Sequence, residues 1–433
     1  MKGRKIGIFT GIAIVVANMI GAGAFTSLGF QLKELNNTAA VLTLWVLGGI
    51  LALSGAFSYA EVGTVIKKSG GEYAFLSELY HPVIGYLSGW ISLTVGFAAP
   101  IALSAIAAVE YFPFGDIDTR WMGIALILLI TIIHTQSLKT SSGFQNIFTA
   151  LKIILIIGLI GIGMILSKDS GNTFTVGQSY FSEVSSMAFA VGFIYVSYSY
   201  SGWNAAAYIT EEFEKPEKAL PIALIGGTLL VTVLYSLLQF VFLKHVPLNE
   251  LVGQVNVGAI AVNSMLGTSI GQFFGLAISL LLISSISAMV WIGPRVTSSI
   301  AQKYHLWNFF RPSVNGIPKK ALWFQFLIST ILILSGTFEQ IMIYCGILLT
   351  ISTMLVVFGV FILRVRKKDS EIKGYRSPLF PLFQIVYLLL SFWMILFAFI
   401  KTPVEIIIGM TNLLIGIGTY FISARMHKTT DKI

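Results

Sequence analysis

Two short runs in this 433-residue chain could hold a small polar ligand by their backbone alone. The first, Asn18-Met19-Ile20-Gly21-Ala22-Gly23-Ala24-Phe25, places two glycines inside an apolar, β-branched stretch. The second, Tyr198-Ser199-Tyr200-Ser201-Gly202-Trp203-Asn204, is small and polar inside another apolar stretch. A helix broken at either run leaves N–H groups of its second half unpaired and partly positive, while carbonyls of its first half point into the same gap. That suits a zwitterion. A carboxylate would accept from the N–H groups around Ala22, Gly23 and Ala24, and an ammonium would donate to carbonyls around Met19, Ile20, Tyr198, Ser199 and Ser201. Gly21, Gly23 and Gly202 would admit the ligand because no Cβ intervenes. Glycines in apolar helices also form packing surfaces, and that use fits each run taken singly. A third candidate is Lys152, about eight residues, or roughly 12 Å, inside an apolar run. It either snorkels to the interface or is held in the interior by partners.

The elements that must position these groups follow from composition. Hydrophobic residues make up 56% of the chain and charged residues 11%, with a mean hydropathy of +0.84, which excludes an ordinary soluble enzyme. Twelve apolar segments can be drawn, at about 6–30, 39–62, 82–111, 120–138, 144–167, 185–211, 220–243, 271–300, 320–336, 338–363, 380–400 and 404–424. The expected fold is an all-α polytopic membrane protein of 12 transmembrane helices, its first span retained and not cleaved as a signal peptide. With both termini in the cytoplasm, 22 of the 28 Lys and Arg fall inside and five outside, with Lys152 within a span. The two glycine-bearing runs lie about 180 residues apart, each in the first span of a five-span half. That is the hydropathy signature of an inverted-repeat transporter with discontinuous helices. The halves are 1–167 and 185–363, followed by two further spans at 380–424, all in one membrane domain. The loop at about 244–270 is expected to carry short helices over the outer mouth.

Several functions are excluded by what is missing. The formal charge of +9 is spread over loops and reports topology, so no nucleic-acid partner is expected. One cysteine, Cys345, and five histidines without ligand spacing give no metal site or cofactor. No extramembrane segment exceeds about 30 residues, and the spans carry no paired catalytic carboxylates, so the chain is not read as an enzyme. Glu61 and Glu110 sit near span ends, and no interior carboxylate or arginine is evident, which implies a ligand with a neutral side chain.

At these residues the sequence resembles the amino acid–polyamine–organocation (APC) superfamily, and within it the L-type amino acid transporter branch. The match is carried by Asn18 to Phe25, by Ser69-Gly70-Gly71-Glu72-Tyr73 with Gly85 to Trp90, by Ser201-Gly202-Trp203-Asn204 with Glu211-Glu212 and Lys215 to Pro221, and by Tyr375-Arg376-Ser377-Pro378-Leu379. Ala22 and Ala24 stand where the family usually has Ser and an aliphatic residue, which removes a hydroxyl and opens space. The resemblance implies a LeuT-type fold of five plus five inverted repeats, broken in helices 1 and 6. It implies sodium-independent transport of neutral L-amino acids across the plasma membrane by alternating access, with exchange as the mode, proton symport as the alternative and a non-transporting sensor as the rival. It implies that Lys152 lies where sodium-coupled relatives hold the ion, linking helix 1 to helix 8 through Ser284, Ser285 or Ser287. It places Tyr198 as an aromatic gate and Asn204 as the polar residue after the second break. A heavy-chain partner is not expected, since the family's linking cysteine has no equivalent here and Cys345 lies within a span.

Overall fold

The computed structural model describes residues 6–112, 118–136, 142–167, 169–311, 318–366 and 374–430. Of the basic residues counted above, Lys2, Arg4, Lys5, Lys139, Lys168, Lys367, Lys368, Lys373 and Lys432 lie outside them. Ile8–Met19 (α1) and Gly23–Gln31 (α2) form the first span, interrupted at residues 20–22. Thr38–Ile66 (α3) starts where the Asn37 side chain accepts from Ala40 N–H and the Glu183 carboxylate accepts from the N–H groups of Asn36 and Asn37. These acceptors satisfy orphan donors and place negative charge at the positive helix end. Glu72–Leu79 (α4) is a short helix that hydropathy alone does not resolve. Pro82–Ile91 (α5), a π-helical stretch at Ser92–Gly96 and Ala98–Glu110 (α6) run on as one span.

Thr119–Gln136 (α7), Ser142–Ile165 (α8) and the short Gln178–Val184 (α9) lead to Met187–Ser199 (α10). The chain is interrupted again at residues 200–204 and resumes as a 3₁₀ helix, Ala205–Glu212. Pro216–His245 (α11) is followed by Leu248–Leu251 (α12) and Val257–Leu266 (α13), the short helices expected in that loop. Thr268–Lys303 (α14), a 3₁₀ turn at His305–Phe310, Lys319–Ser335 (α15), Phe338–Arg366 (α16), Leu382–Lys401 (α17) and Pro403–Thr430 (α18) complete the chain.

Among the described residues, ten helices are long and apolar enough to cross a membrane, so the protein is an all-helical, multi-pass membrane protein. Two expected segments fall short of that length for separate reasons. The interruption at 200–204 divides one into α10, of 13 residues, and a 3₁₀ helix, while α15 has 17. One extended contact joins distant parts: Ile6 N–H donates to Glu212 O (2.9 Å), and Glu214 N–H donates back to Ile6 O (3.2 Å).

The centre of the bundle lies where α11 packs along α3 and α1. Trp45, Tyr200 and Tyr235 form an edge-on aromatic cluster there, with Trp45 and Tyr235 ring centroids 5.7 Å apart and the Tyr200 hydroxyl donating to Trp45 O (2.9 Å). Glu61 corrects the reading that interior acids and arginines are absent. It is fully buried in α3 and accepts from Arg364 Nε and Nη2 of α16, each at 2.8 Å, and from Ser377 N–H at 2.8 Å. The fork-on-fork geometry and the third donor satisfy both oxygens, which is the condition for a buried ion pair to persist. Glu61 is therefore committed to Arg364 and not to a ligand. Removing the cation strands a buried carboxylate, so Arg364→Ala is expected to destabilise the protein by about 3–5 kcal/mol in thermal unfolding of detergent-purified material. A loss below about 1 kcal/mol would show that the pair is not what holds α3 to α16.

Candidate functional site

The two interruptions touch. A Cβ built on Gly23 would lie 2.7 Å from Ser199 Cα and 2.6 Å from Ser199 Oγ, and one built on Gly202 would lie 2.8 Å from the Asn18 carbonyl carbon and oxygen. Gly202 also has φ +96°, a conformation other residues adopt only with strain. Both glycines therefore permit the crossing of the broken helices. This narrows the expectation that all three admit ligand. Gly21 is the exception, with nothing within 4 Å of its Cβ position, so the open space adjoins residue 21 and not residue 23.

Backbone groups at the crossing fall into two classes. Some are taken by side chains of neighbouring helices: Met19 O accepts from the Tyr235 hydroxyl (2.6 Å), Ile20 O from Lys152 Nζ (3.2 Å) and Ala24 O from Gln239 Nε2 (2.8 Å). Ala22 O accepts from Phe25 N–H and the Thr26 hydroxyl, and Tyr198 O from Ser201 N–H (2.9 Å). Met19, Ile20 and Tyr198 were expected to offer carbonyls to an ammonium, and each of those oxygens already has a protein donor. Others are unclaimed. Among the described residues, the N–H groups of Ala22, Gly23 and Ala24 have no protein acceptor, and Ser199 O and Ser201 O have no protein donor. Donors thus collect at the start of α2 and acceptors at the end of α10, across one contact. Ala22 and Ala24 are buried beside them.

Lys152 is buried, and its ammonium donates to Ser285 Oγ (2.5 Å) as well as to Ile20 O. It does not snorkel. It joins α8, the first interruption and α14, and of the expected serines it is Ser285 that receives it. Ser284 is buried beside Ser285, while Ser287 turns to His134 Nε2 (2.9 Å). Tyr198 is buried where α10 meets α16 at Gly346. Asn204 Nδ2 donates to Glu72 Oε1, an acid in α4 that sequence reasoning left without a role. Gln239 was likewise missed as a partner of the first interruption, while Tyr235, which sequence reasoning placed within reach of the same cavity but favoured as interior packing, is one. Their signal was their spacing: two polar side chains four apart in an apolar span share one helix face.

Steric consequences differ by position. Gly23→Ala forces a methyl into the Ser199 backbone, and Gly202→Ala adds backbone strain, so each is expected to destabilise the folded protein by about 1–3 kcal/mol. Gly21→Ala is expected to leave the unfolding temperature unchanged. Equal stability for all three variants in detergent would mean the interruptions do not cross as described.

Comparison with known proteins gives a consistent result. The chain is 29% identical over 406 residues to the serine/threonine exchanger SteT of Bacillus subtilis, covering 90% of each chain. It is 29% identical over 434 residues to the human b(0,+)-type amino acid transporter 1, covering 97% of this chain and 88% of that one. It is 27% identical over 442 residues to the mouse large neutral amino acids transporter small subunit 2, covering 97% and 81%. The profile of the amino acid permease family matches residues 6–421, from the strand-like contact at Ile6 into the last helix and across both interruptions. On that match the chain belongs to the amino acid permease family.

Proposed function

We propose that the protein transports neutral L-amino acids across the cell membrane by alternating access, without sodium and in exchange mode. The observation that carries this reading is the crossing of the interrupted helices, with unclaimed N–H groups of Ala22, Gly23 and Ala24 on one side and unclaimed Ser199 and Ser201 carbonyls on the other. The first set matches a carboxylate and the second an ammonium, and open space adjoins the neighbouring Gly21. Neither Glu61 nor Arg364 is free to bind a charged side chain, which supports a neutral one. The names of the relatives, an exchanger and two amino acid transporters, agree with that substrate class.

Sodium independence rests on Lys152. A resident ammonium beside Ile20 O and Ser285 Oγ supplies the positive charge and the donors that a bound cation would otherwise provide there, and it repels a second cation. The architecture that goes with this reading is a LeuT-type fold of 12 spans, with repeats at 1–167 and 185–363 and further helices at 380–424. In it α10 with its 3₁₀ continuation is the sixth span and α15 the ninth. Both termini are cytoplasmic, in keeping with the basic loops. The protein acts without a disulfide-linked partner, because its one cysteine, Cys345, is fully buried in α16.

The test is uptake of labelled L-serine and L-alanine into proteoliposomes preloaded with unlabelled amino acid. Replacing external sodium by choline is expected to leave the rate unchanged, and omitting the internal amino acid to lower it sharply. Steep sodium dependence would sink the Lys152 argument. Uptake into empty vesicles driven by an inward proton gradient would establish symport in place of exchange, and binding without uptake would establish a sensor. Unlabelled neutral amino acids are expected to compete, whereas arginine, lysine and glutamate are not. Lys152→Ala is expected to lower the exchange rate about tenfold, the equivalent of roughly 1.4 kcal/mol of lost contact, with the folded yield maintained.

A further inference from the structure

Glu72 is buried, 3% exposed, at the start of α4, and no basic side chain lies within ion-pairing distance of it among the described residues. Its carboxylate is instead surrounded by neutral donors from three other segments. The Tyr59 hydroxyl of α3 donates to Oε1 (2.8 Å), Asn204 Nδ2 donates to the same oxygen from the end of the second interruption, and the Tyr208 hydroxyl of the 3₁₀ helix donates to Oε2. A carboxylate only accepts, so the Asn204 amide must meet it with its NH₂ group. The reversed amide would press oxygen against oxygen in a buried site. The orientation of Asn204 is therefore dictated by chemistry. The amide oxygen, on the other arm of the same planar group, has no protein donor among the described residues and is not enclosed by protein. Asn204 itself closes the turn that begins at the unclaimed carbonyls of Ser199 and Ser201.

We propose that Glu72 is a positioning residue that commits the Asn204 amide to one orientation, so that Asn204 Oδ1 accepts a hydrogen bond from an N–H or O–H donor of the bound amino acid. This rests on the transport reading above. It makes a residue of the α4 segment a determinant of affinity although Glu72 itself does not contact the ligand. Glutamine in place of Glu72 ends the commitment, because its amide can accept from or donate to Asn204 and two amide orientations become comparable.

The experiment measures half-saturation and maximal exchange rate for L-serine and L-alanine in proteoliposomes, together with the unfolding temperature in detergent. Glu72→Gln is expected to raise half-saturation about tenfold with the maximal rate within about twofold of the original. Asn204→Asp is expected to do the same, because it sets two acceptors face to face. The double variant Glu72→Gln with Asn204→Asp is expected to recover most of the affinity, since the amide introduced in α4 then donates to one oxygen of the carboxylate introduced after the interruption and leaves the other for the ligand. Equal losses for serine and alanine identify the donor as the ammonium, and a loss confined to serine identifies the side-chain hydroxyl. Unchanged half-saturation in Glu72→Gln, or a double variant no better than the single ones, would overturn the proposal and leave Glu72 a brace between helices. If Glu72→Gln alone does not fold, the double variant compared with Asn204→Asp alone decides: recovery of affinity supports the proposal, whereas no recovery, or an unchanged half-saturation in Asn204→Ala, overturns it. Failure of the transport reading is separate, since it shows first as absent exchange in the unmodified protein.

Discussion

A helix interrupted inside hydrocarbon exposes backbone groups that water cannot reach, and each one left unpaired there costs several kcal/mol. Most of the polar side chains near residues 20–24 answer that constraint. Tyr235 and Lys152 come from two different helices, and each donates to one carbonyl freed by the interruption, while Gln239 adds a second donor to Ala24 O inside α2. Thr26 returns to Ala22 O from within α2. The second interruption is secured from the other side, through Tyr200 to Trp45 O and Ser199 to Ser27. Against so thorough a satisfaction of carbonyls, the three N–H groups at the start of α2 stand out by their lack of a protein acceptor among the described residues, and on that contrast the proposed carboxylate site rests.

The arrangement also separates two kinds of buried charge. Glu61 meets a guanidinium and is neutralised by it, which fixes α3 to α16. Glu72 meets only neutral donors, which tie α4 to α3 and to the segment after the second interruption. Lys152 is the positive counterpart, held by a carbonyl and a hydroxyl. Two of these three groups thus touch an interruption or its immediate continuation, where small movements change the number of donors and acceptors in reach.

How far the sequence alone reaches can be judged residue by residue. The interruptions were legible because glycine and small polar residues are conspicuous within apolar runs, and each of the twelve apolar segments contains a helix. Lys152 was legible as an anomaly, and its link to the serines of α14 came with the family resemblance. The Glu61–Arg364 pair was not legible, because its members are 303 residues apart and each lies near the end of its own apolar run. Glu72 was hidden differently: it sits in a short polar connection that reads as loop, and only the fold brings Tyr59, Asn204 and Tyr208 around it. Gly23 and Gly21 look equivalent in sequence, yet one faces the Ser199 backbone and the other open space. That distinction depends on how two helices cross, which hydropathy does not encode.

The contact between Ile6 and the segment at Glu212–Glu214 has a kinematic consequence. Ile6 precedes α1, and Glu212 ends the 3₁₀ continuation of the second interrupted helix, so two backbone hydrogen bonds splice the lead-in to one broken helix to the far end of the other. Swinging either segment alone would shear both bonds, a penalty of about 1 kcal/mol each. Swinging them together preserves the splice. The pair therefore has one low-energy coordinate where two independent arms would have two, and an opening on that face draws on a single lever with both interruptions as its fulcrum.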